Sequence, residues 1–462
     1  MSDSGRSQKA VLVVATLTAF MMPFMMSALN LALPAIQKDF GLDAMLLNWV
    51  VSAYILAAAV SLVPSGKLAD IYGRKKIFIL GVLFFFLASL FVVFAKAVWW
   101  LIFWRVVQGV GGGMVMSTGM AMITSVFPLH ERGKAIGLNV AAVYTGLSVG
   151  PVAGGFLTAT FGWRSIFLVT VPLGVLAFFL SKKMIREDWA EARGESFDLV
   201  GSLLLGAAFV CFMYGLSLMP TWQGTVIVLF GILFLILFVR QELRTAFPVF
   251  EVRLFRDNRV FAFSGLAALI NYGATSAVSF LLSLYLQYIL GLGPQNAGLI
   301  LLWQPVIMAL LSPLAGRLSD RIEPRIIASC GMGLTALGLL QLVFLQQDTG
   351  KGFVVLALIF LGLGFALFSS PNMNAIMSSV EKRYYGVASG AVGSMRLSGN
   401  MLSMAVALVV FALFLGPDGI TPQHYPSLLK AITTCFGLFA LLCLVGIFFS
   451  FSRGDLRQKI KL

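Results

Sequence analysis

The chain has 462 residues, 59% apolar and only 11% charged, with a net charge of +14 and a mean hydropathy of +0.94. A soluble domain of this size carries about a quarter charged residues, so the composition excludes water as the solvent of most of the chain. The basic residues fall in short clusters between apolar runs, with no continuous stripe and no aromatic interleave; this excludes a nucleic-acid surface and matches juxtamembrane topology charge.

A polar start carrying Arg6 and Lys9 leads into an apolar run from Ala10 past Leu29. That run exceeds a signal-peptide core of about 7–15 residues and is expected to be a retained first helix. Crossing the hydrocarbon takes about 20 apolar residues. Runs that meet this are predicted at 10–35, 46–64, 77–94, 97–127, 135–161, 166–180, 200–219, 225–239, 260–290, 297–315, 326–345, 354–377, 387–415 and 431–451. A spanning segment satisfies its own backbone as a helix, whereas a β-barrel would alternate over strands of about ten residues. The prediction is therefore an all-α membrane protein with fourteen transmembrane helices.

Charge sets the orientation. With the N-terminus inside, the outer loops hold Lys38, Lys96, Arg164, Lys351 and Lys430, and Arg105 and Arg396 fall within spans. Every other Lys and Arg lies inside. This places both termini in the cytoplasm of a multi-pass plasma membrane protein of bacterial inner-membrane type. Residues 182–198 form a highly charged connector expected to be solvated. Residues 241–259 mix charges with Phe247, Phe250, Leu254 and Phe255, which suits either an amphipathic piece on the membrane surface or a plain loop. The cysteines Cys211, Cys330, Cys435 and Cys443 lack metal spacing and read as small buried hydrophobes.

The chain repeats itself. Gly66-Lys67-Leu68-Ala69-Asp70 recurs as Gly316-Arg317-Leu318-Ser319-Asp320, and Gly133-Lys134-Ala135-Ile136-Gly137 is echoed by Gly386-Val387-Ala388-Ser389-Gly390 at nearly the same offset. Two six-helix bundles, 1–182 and 259–452, would produce this. Between them 183–258 would be a connector with an inserted helix pair, and 453–462 a cytoplasmic tail.

The stretch from Gly66 through Gly73 and Arg74 to Lys76 resembles the signature loop between helices two and three of the major facilitator superfamily. Leu101 to Gly113, with Arg105 and Gln108, resembles its fourth-helix motif, and Gly146 to Gly155 the fifth-helix motif of its antiporters. The helix count and Ala32-Leu33-Pro34 resemble its 14-helix drug:proton antiporter branch, of multidrug efflux type. The resemblance implies the major facilitator fold, built from repeats around a central site. It implies a gate at Gly66, Asp70, Gly73 and Arg74, repeated at Asp320; a solvated loop is the plainer alternative. It gives Arg105 a role in proton coupling or in the cavity, snorkelling being the alternative. Arg396, with Asn400 one turn further on the same face, is a second cavity or structural arginine. Gly146, Gly150, Pro151, Gly154 and Gly155 form a hinge or a close helix interface.

Asn30, Tyr144, Asn271, Tyr272, Trp303, Gln304, Asn372 and Asn374 are substrate-cavity candidates that could equally be interhelical glue. No carboxylate falls in the middle of a span; Asp39 and Asp43 lie in the first outer loop. Relatives in the resembled family that export cations commonly carry an acidic residue where this chain has Met25. Its absence, with two intramembrane arginines, tilts the substrate towards anionic, zwitterionic or neutral amphiphiles. There is no G-x-x-x-x-G-K-[ST] and no catalytic cluster, so neither ATP hydrolysis nor an enzyme is expected, and no cofactor or metal. The expectation is a monomeric secondary transporter, embedded in membrane lipid, that exports amphipathic small molecules in exchange for protons. The alternative is proton-independent or symport-type transport of an organic anion or lipid-like solute.

Overall fold

In the computed structural model residues 3–42, 44–219, 221–415 and 422–455 are described; Asp43 and tail residues 456–462 lie outside them. The helices run in order α1 (Asp3–Phe40), α2 (Ala44–Tyr72), α3 (Arg74–Val93), α4 (Val98–Val126), α5 (Leu129–Phe161), α6 (Arg164–Met184), α7 (Leu199–Ser217) and α8 (Trp222–Glu242). After the one-turn α9 (Arg253–Asp257) come α10 (Arg259–Thr275), α11 (Val278–Leu284) with a π-helical turn (Tyr285–Ile289), α12 (Pro294–Leu301) and α13 (Trp303–Arg321). The last four are α14 (Pro324–Val343), α15 (Lys351–Ser379), α16 (Tyr385–Leu415) and α17 (Tyr425–Ser452). Among the described residues, 14 helical spans are long and apolar enough to cross a membrane. Each predicted run matches one of these spans; 46–64, 77–94, 97–127, 200–219, 260–290 and 326–345 overshoot by one to three residues at an end, while most other ends extend further because polar residues continue the helices.

Two predicted spans are broken rather than continuous. Between α10 and α11 the Ala277 N–H is taken by Ser403 Oγ of α16 at 3.0 Å, a side chain inserted into the helical ladder. Between α12 and α13 the break at Leu302 precedes Pro305, which has no N–H to give the preceding turn. Within 241–259 the only helix is α9, so an amphipathic surface helix reduces to a single turn. Cys435 and Cys443 are buried, but Cys330 is exposed and Cys211 half-buried, so those two are not the core residues expected.

The chain divides into two compact units. The first comprises Met1–Val210, Phe234–Val252 and Val380–Ser394; the second comprises Cys211–Leu233, Arg253–Ser379 and Met395–Leu462. In the first, α1 packs on α5, α2 on α4, and α3 on α4 and α6. In the second, α14 packs on α15 and α17, α13 on α15, and α10 on α17. A core there is built from Leu281, Tyr285, Leu358, Phe436 and Phe439, all fully buried.

Candidate functional site

The turn between α2 and α3 is set by Gly73, whose φ of 117° is open to glycine and strained for other residues. The turn brings Asp70 and Arg74 together: Arg74 donates from Nε at 2.9 Å and from Nη2 at 2.7 Å to Asp70 Oδ1. Asp70 also accepts the N–H of Gly386 at 3.0 Å and of Val387 at 3.1 Å. Both belong to the first turn of α16, where backbone N–H groups have no partner within the helix. The Asp70 carboxylate therefore caps α16 from outside the helix and meets the positive end of its dipole. Gly66 makes the approach possible. A methyl on Gly66 would collide with the Gly386 carbonyl, and one on Gly386 with the Gly66 carbonyl.

Around this pair Arg74 donates from Nη1 to Ser125 Oγ at 2.7 Å and from Nη2 to the Lys382 carbonyl, and its guanidinium lies 5.2 Å from the Tyr385 ring centre. Arg132 covers the same ring at 5.6 Å and donates to the Thr124 carbonyl at 3.0 Å. Asp70 and Arg74 are almost completely buried, so this is not a solvated loop. The connector is exposed over most of its length, as expected, but it also docks on the turn between α2 and α3. Arg74 N–H donates to the Trp189 carbonyl, Ala192 N–H to the Asp70 carbonyl, and Lys75 N–H to Asp188 Oδ1, all at 2.9–3.0 Å. Glu195 pairs inwards with Lys67 Nζ at 2.5 Å, while Lys182, Lys183, Arg186, Glu187, Glu191 and Arg193 stay exposed. Asp320, the repeated aspartate, lies near the end of α13 in the second unit, half-buried.

Arg105 is fully buried within α4. It donates from Nε to the Val50 carbonyl at 2.9 Å and from Nη1 to Gln108 Oε1 at 2.6 Å, and its guanidinium lies 4.5 Å from the Tyr54 ring centre. Gln108 donates to Ser89 Oγ at 2.7 Å and to Met25 Sδ at 2.9 Å. Met25 thus stands beside the arginine, where an acidic residue would have paired with it. Arg105 Nη2 is left without a hydrogen-bond partner among the described residues. The guanidinium is buried and held on protein groups with one donor to spare.

The glycines of α5 lie against α1. Added methyls would strike the Phe20 carbonyl at Gly146, Ser27 Cβ at 2.7 Å at Gly150, and Ala28 Cα at 2.6 Å at Gly154. Their four-residue spacing keeps them on one helix face. Gly155 does not share it: rotated off that face, it would present a side chain to open space, with nothing within 4 Å. Pro151 is half-buried beside the seam. Gly154→Val is expected to cost about 1–3 kcal/mol through overpacking, and Gly155→Val no more than about 0.5 kcal/mol. Thermal unfolding of the two purified variants, side by side, measures the difference.

The cavity candidates separate. Asn372 donates to the Ser264 carbonyl at 3.1 Å and accepts from Arg453 Nη1 at 2.7 Å, while Asn374 donates to Ser319 Oγ at 3.0 Å. These two tie α15 to its neighbours. Asn400 accepts from Ser276 Oγ, and Arg396 is half-buried. Asn271 is fully buried, with both amide atoms unpartnered among the described residues, so it has polar capacity left to give a ligand. Tyr144 and Gln304 are buried, Tyr272 packs edge-on against Phe365, and Asn30 and Trp303 are exposed. Sequence reasoning missed Arg453, 1% exposed and read as a tail charge. It donates to both Asn372 and Ser264, and burial lowers its pKa to about 9.

The model of the Major Facilitator Superfamily matches residues 15–404, and again 264–460. The riboflavin transporter RibZ of Clostridioides difficile is 30% identical over 440 residues, covering 95% of each chain. The multidrug resistance protein Stp of Mycobacterium tuberculosis is 33% identical over 416 residues, 89% of this chain and 77% of Stp. The tetracenomycin C resistance and export protein of Streptomyces glaucescens is 30% identical over 424 residues, 89% of this chain and 79% of that protein. In fold, the chain superposes on the human organic anion transporter MFSD10 with a TM-score of 0.67 at 13% identity, covering 97% of this chain and 100% of that one. The proton:xylose symporter XylE gives the same score at 15% identity, covering 98% and 97%. With fourteen membrane-length helices, the repeated Gly66–Asp70 segment and these matches, the chain belongs to the major facilitator superfamily and is a multi-pass membrane transporter of small molecules, not an enzyme.

Proposed function

We propose that this transporter exports amphipathic small molecules of neutral, zwitterionic or anionic character by alternating access, in exchange for protons. It works as a monomer in a bacterial-type inner membrane with both termini cytoplasmic. The moving parts are the bundles 1–182 and 259–452, joined through 183–258. The observation that carries the cycle is the seating of Asp70 on the first turn of α16, a polar contact that can form in one state and release in the other. Export is supported by the glycine seam of α5 on α1 and by two relatives named for drug resistance or antibiotic export. The substrate character is supported by Arg105, buried with a spare donor beside Met25 rather than a carboxylate.

A second reading, proton-independent or symport-type transport of an organic anion, is favoured by the same arginine. Proteoliposomes loaded with cationic, neutral and anionic amphiphiles separate the two. Antiport predicts that the internal pH falls as substrate leaves, and that efflux slows at least about tenfold when the proton gradient is collapsed, a coupling of about 1.4 kcal/mol. Efflux unchanged by that collapse would establish the second reading instead.

A further inference from the structure

Two carboxylates at one end of the inserted helix pair are not explained by the gate or by the arginine site. Asp198 immediately precedes α7, and Glu242 ends α8. They are 9% and 3% exposed. Each spends one oxygen on a backbone N–H: Asp198 Oδ1 accepts from Gly201 at 2.9 Å and Glu242 Oε2 from Phe250 at 2.8 Å. The remaining oxygens, Asp198 Oδ2 and Glu242 Oε1, are buried and have no partner among the described residues. Both face the bare Cα of Gly201. A methyl there would collide with Glu242 Oε1 and stand 2.8 Å from Asp198 Oδ2. Oxygens that share so small a space lie within the ~4–6 Å over which like charges oppose each other's ionisation.

The charged surroundings do not neutralise two anions. The groups acting electrostatically on Glu242 are Asp198 and Glu251, both acidic, and Lys67. Lys67, the one cation among them, is bonded to Glu195 at 2.5 Å. Arg383, which lines a nearby surface pocket with Lys67, Glu195 and Glu251, pairs with Glu381 at 3.0 Å. Two buried carboxylates with facing, unpartnered oxygens and no cation of their own are stable only if something positive lies between them. A proton does this at the least cost in space, turning one oxygen into a donor and satisfying both orphans in one hydrogen bond. Gly201 supplies the room, since any side chain would fill it.

We propose that Asp198 and Glu242 form a proton-binding dyad that holds one shared, dissociable proton at the ends of the inserted helices α7 and α8. Loss of that proton leaves a second unneutralised carboxylate competing with Glu195 for Lys67. Lys67 lies three residues before Asp70, so the connector held on the gate loop would loosen with rising pH; this consequence rests on the gate reading, and the proton site does not.

Infrared difference spectra of the purified full-length transporter, taken across a pH titration from about 4 to about 9, test the dyad. The expected wild-type signal is a protonated-carboxyl C=O band that titrates with about one proton per molecule. Glu242→Gln keeps the shape of the site and should abolish the band. Asp198→Asn keeps the acceptor for Gly201 and should lower its midpoint by about one pH unit or more, because the like charge is gone. A band that persists unchanged in Glu242→Gln and in Asp198→Asn would overturn the proposal. So would a wild-type spectrum that responds to Na⁺, Mg²⁺ or Ca²⁺ at fixed pH and not to protons, which would make the pair a cation site. Efflux by the same preparation, with and without a pH gradient, is scored separately. A titrating dyad with gradient-independent efflux removes proton antiport and leaves the dyad standing.

Discussion

Asp70→Asn is expected to lower turnover by roughly tenfold to a hundredfold while leaving substrate affinity within about threefold. The carboxylate makes two charge-assisted bonds to Arg74 and accepts two N–H groups from the first turn of α16. Asparagine keeps one acceptor oxygen but loses the charge that meets both the guanidinium and the helix dipole. A hydrogen bond to a charged group is worth about 1.5–3 kcal/mol, which converts to a population change of about one to two decades for a state that depends on it. The loss falls on the state in which Asp70 is seated, so it appears in kcat rather than in binding. Arg74 would meanwhile be a buried cation with a weakened partner, a destabilising arrangement. Arg74→Gln in the Asp70→Asn background should therefore recover stability without recovering turnover. Substrate binding to the detergent-solubilised variants, set beside initial rates in proteoliposomes, separates the two effects. A variant with wild-type turnover would remove the gate role from Asp70.

How much of this site the sequence disclosed depends on the range of each interaction. Gly73, Asp70 and Arg74 form a local unit, and its resemblance to the family's signature loop, with the echo at Asp320, marked them. Gly386 and Val387 were visible only as an echo of Gly133–Gly137. Nothing in a linear pattern places their N–H groups on a carboxylate more than 300 residues away. The docking of the connector was hidden for a related reason. A run rich in charge reads as solvated, and most of it is exposed, yet Trp189 and Ala192 use backbone groups, which carry no side-chain signature, to dock on the turn between α2 and α3. Asn372 and Asn374 show the limit of reading a polar residue in an apolar run: burial was legible, while the partners Ser264, Arg453 and Ser319 that consume their amides were not. The break after α10 is hidden because Ser403 comes from another helix, and the break at Leu302 falls inside a run read as continuous, although Pro305 gives it a local cause. The fourteen spans were the most legible feature, because hydrocarbon thickness fixes their length from composition alone.

Arg105→Ala is expected to reduce transport to about 1% of wild type or less in a protein that still folds. Burying a guanidinium in a span costs free energy, so its removal offsets part of the packing lost around Tyr54, and the unfolding midpoint should move by only a few degrees. A loss of two decades in transport corresponds to about 2.7 kcal/mol, within reach of one charged donor meeting a ligand in a water-poor site. Arg105→Lys tests whether charge or geometry matters. A lysine carries the charge but not the planar fork that reaches Val50 and Gln108 at once while leaving Nη2 spare. It should retain roughly a tenth of the activity. Met25→Glu approaches the same centre from the other side. A carboxylate at position 25, already beside Gln108 Nε2 and within 4.0 Å of Arg105 Nη1, would neutralise the arginine. Anionic substrates should then weaken by about tenfold or more, with cationic ones gaining. If Arg105→Ala transports normally, the arginine is a packing element and the charge preference must come from elsewhere. If only Met25→Glu leaves selectivity unchanged, Arg105 acts on the conformational cycle rather than on the substrate.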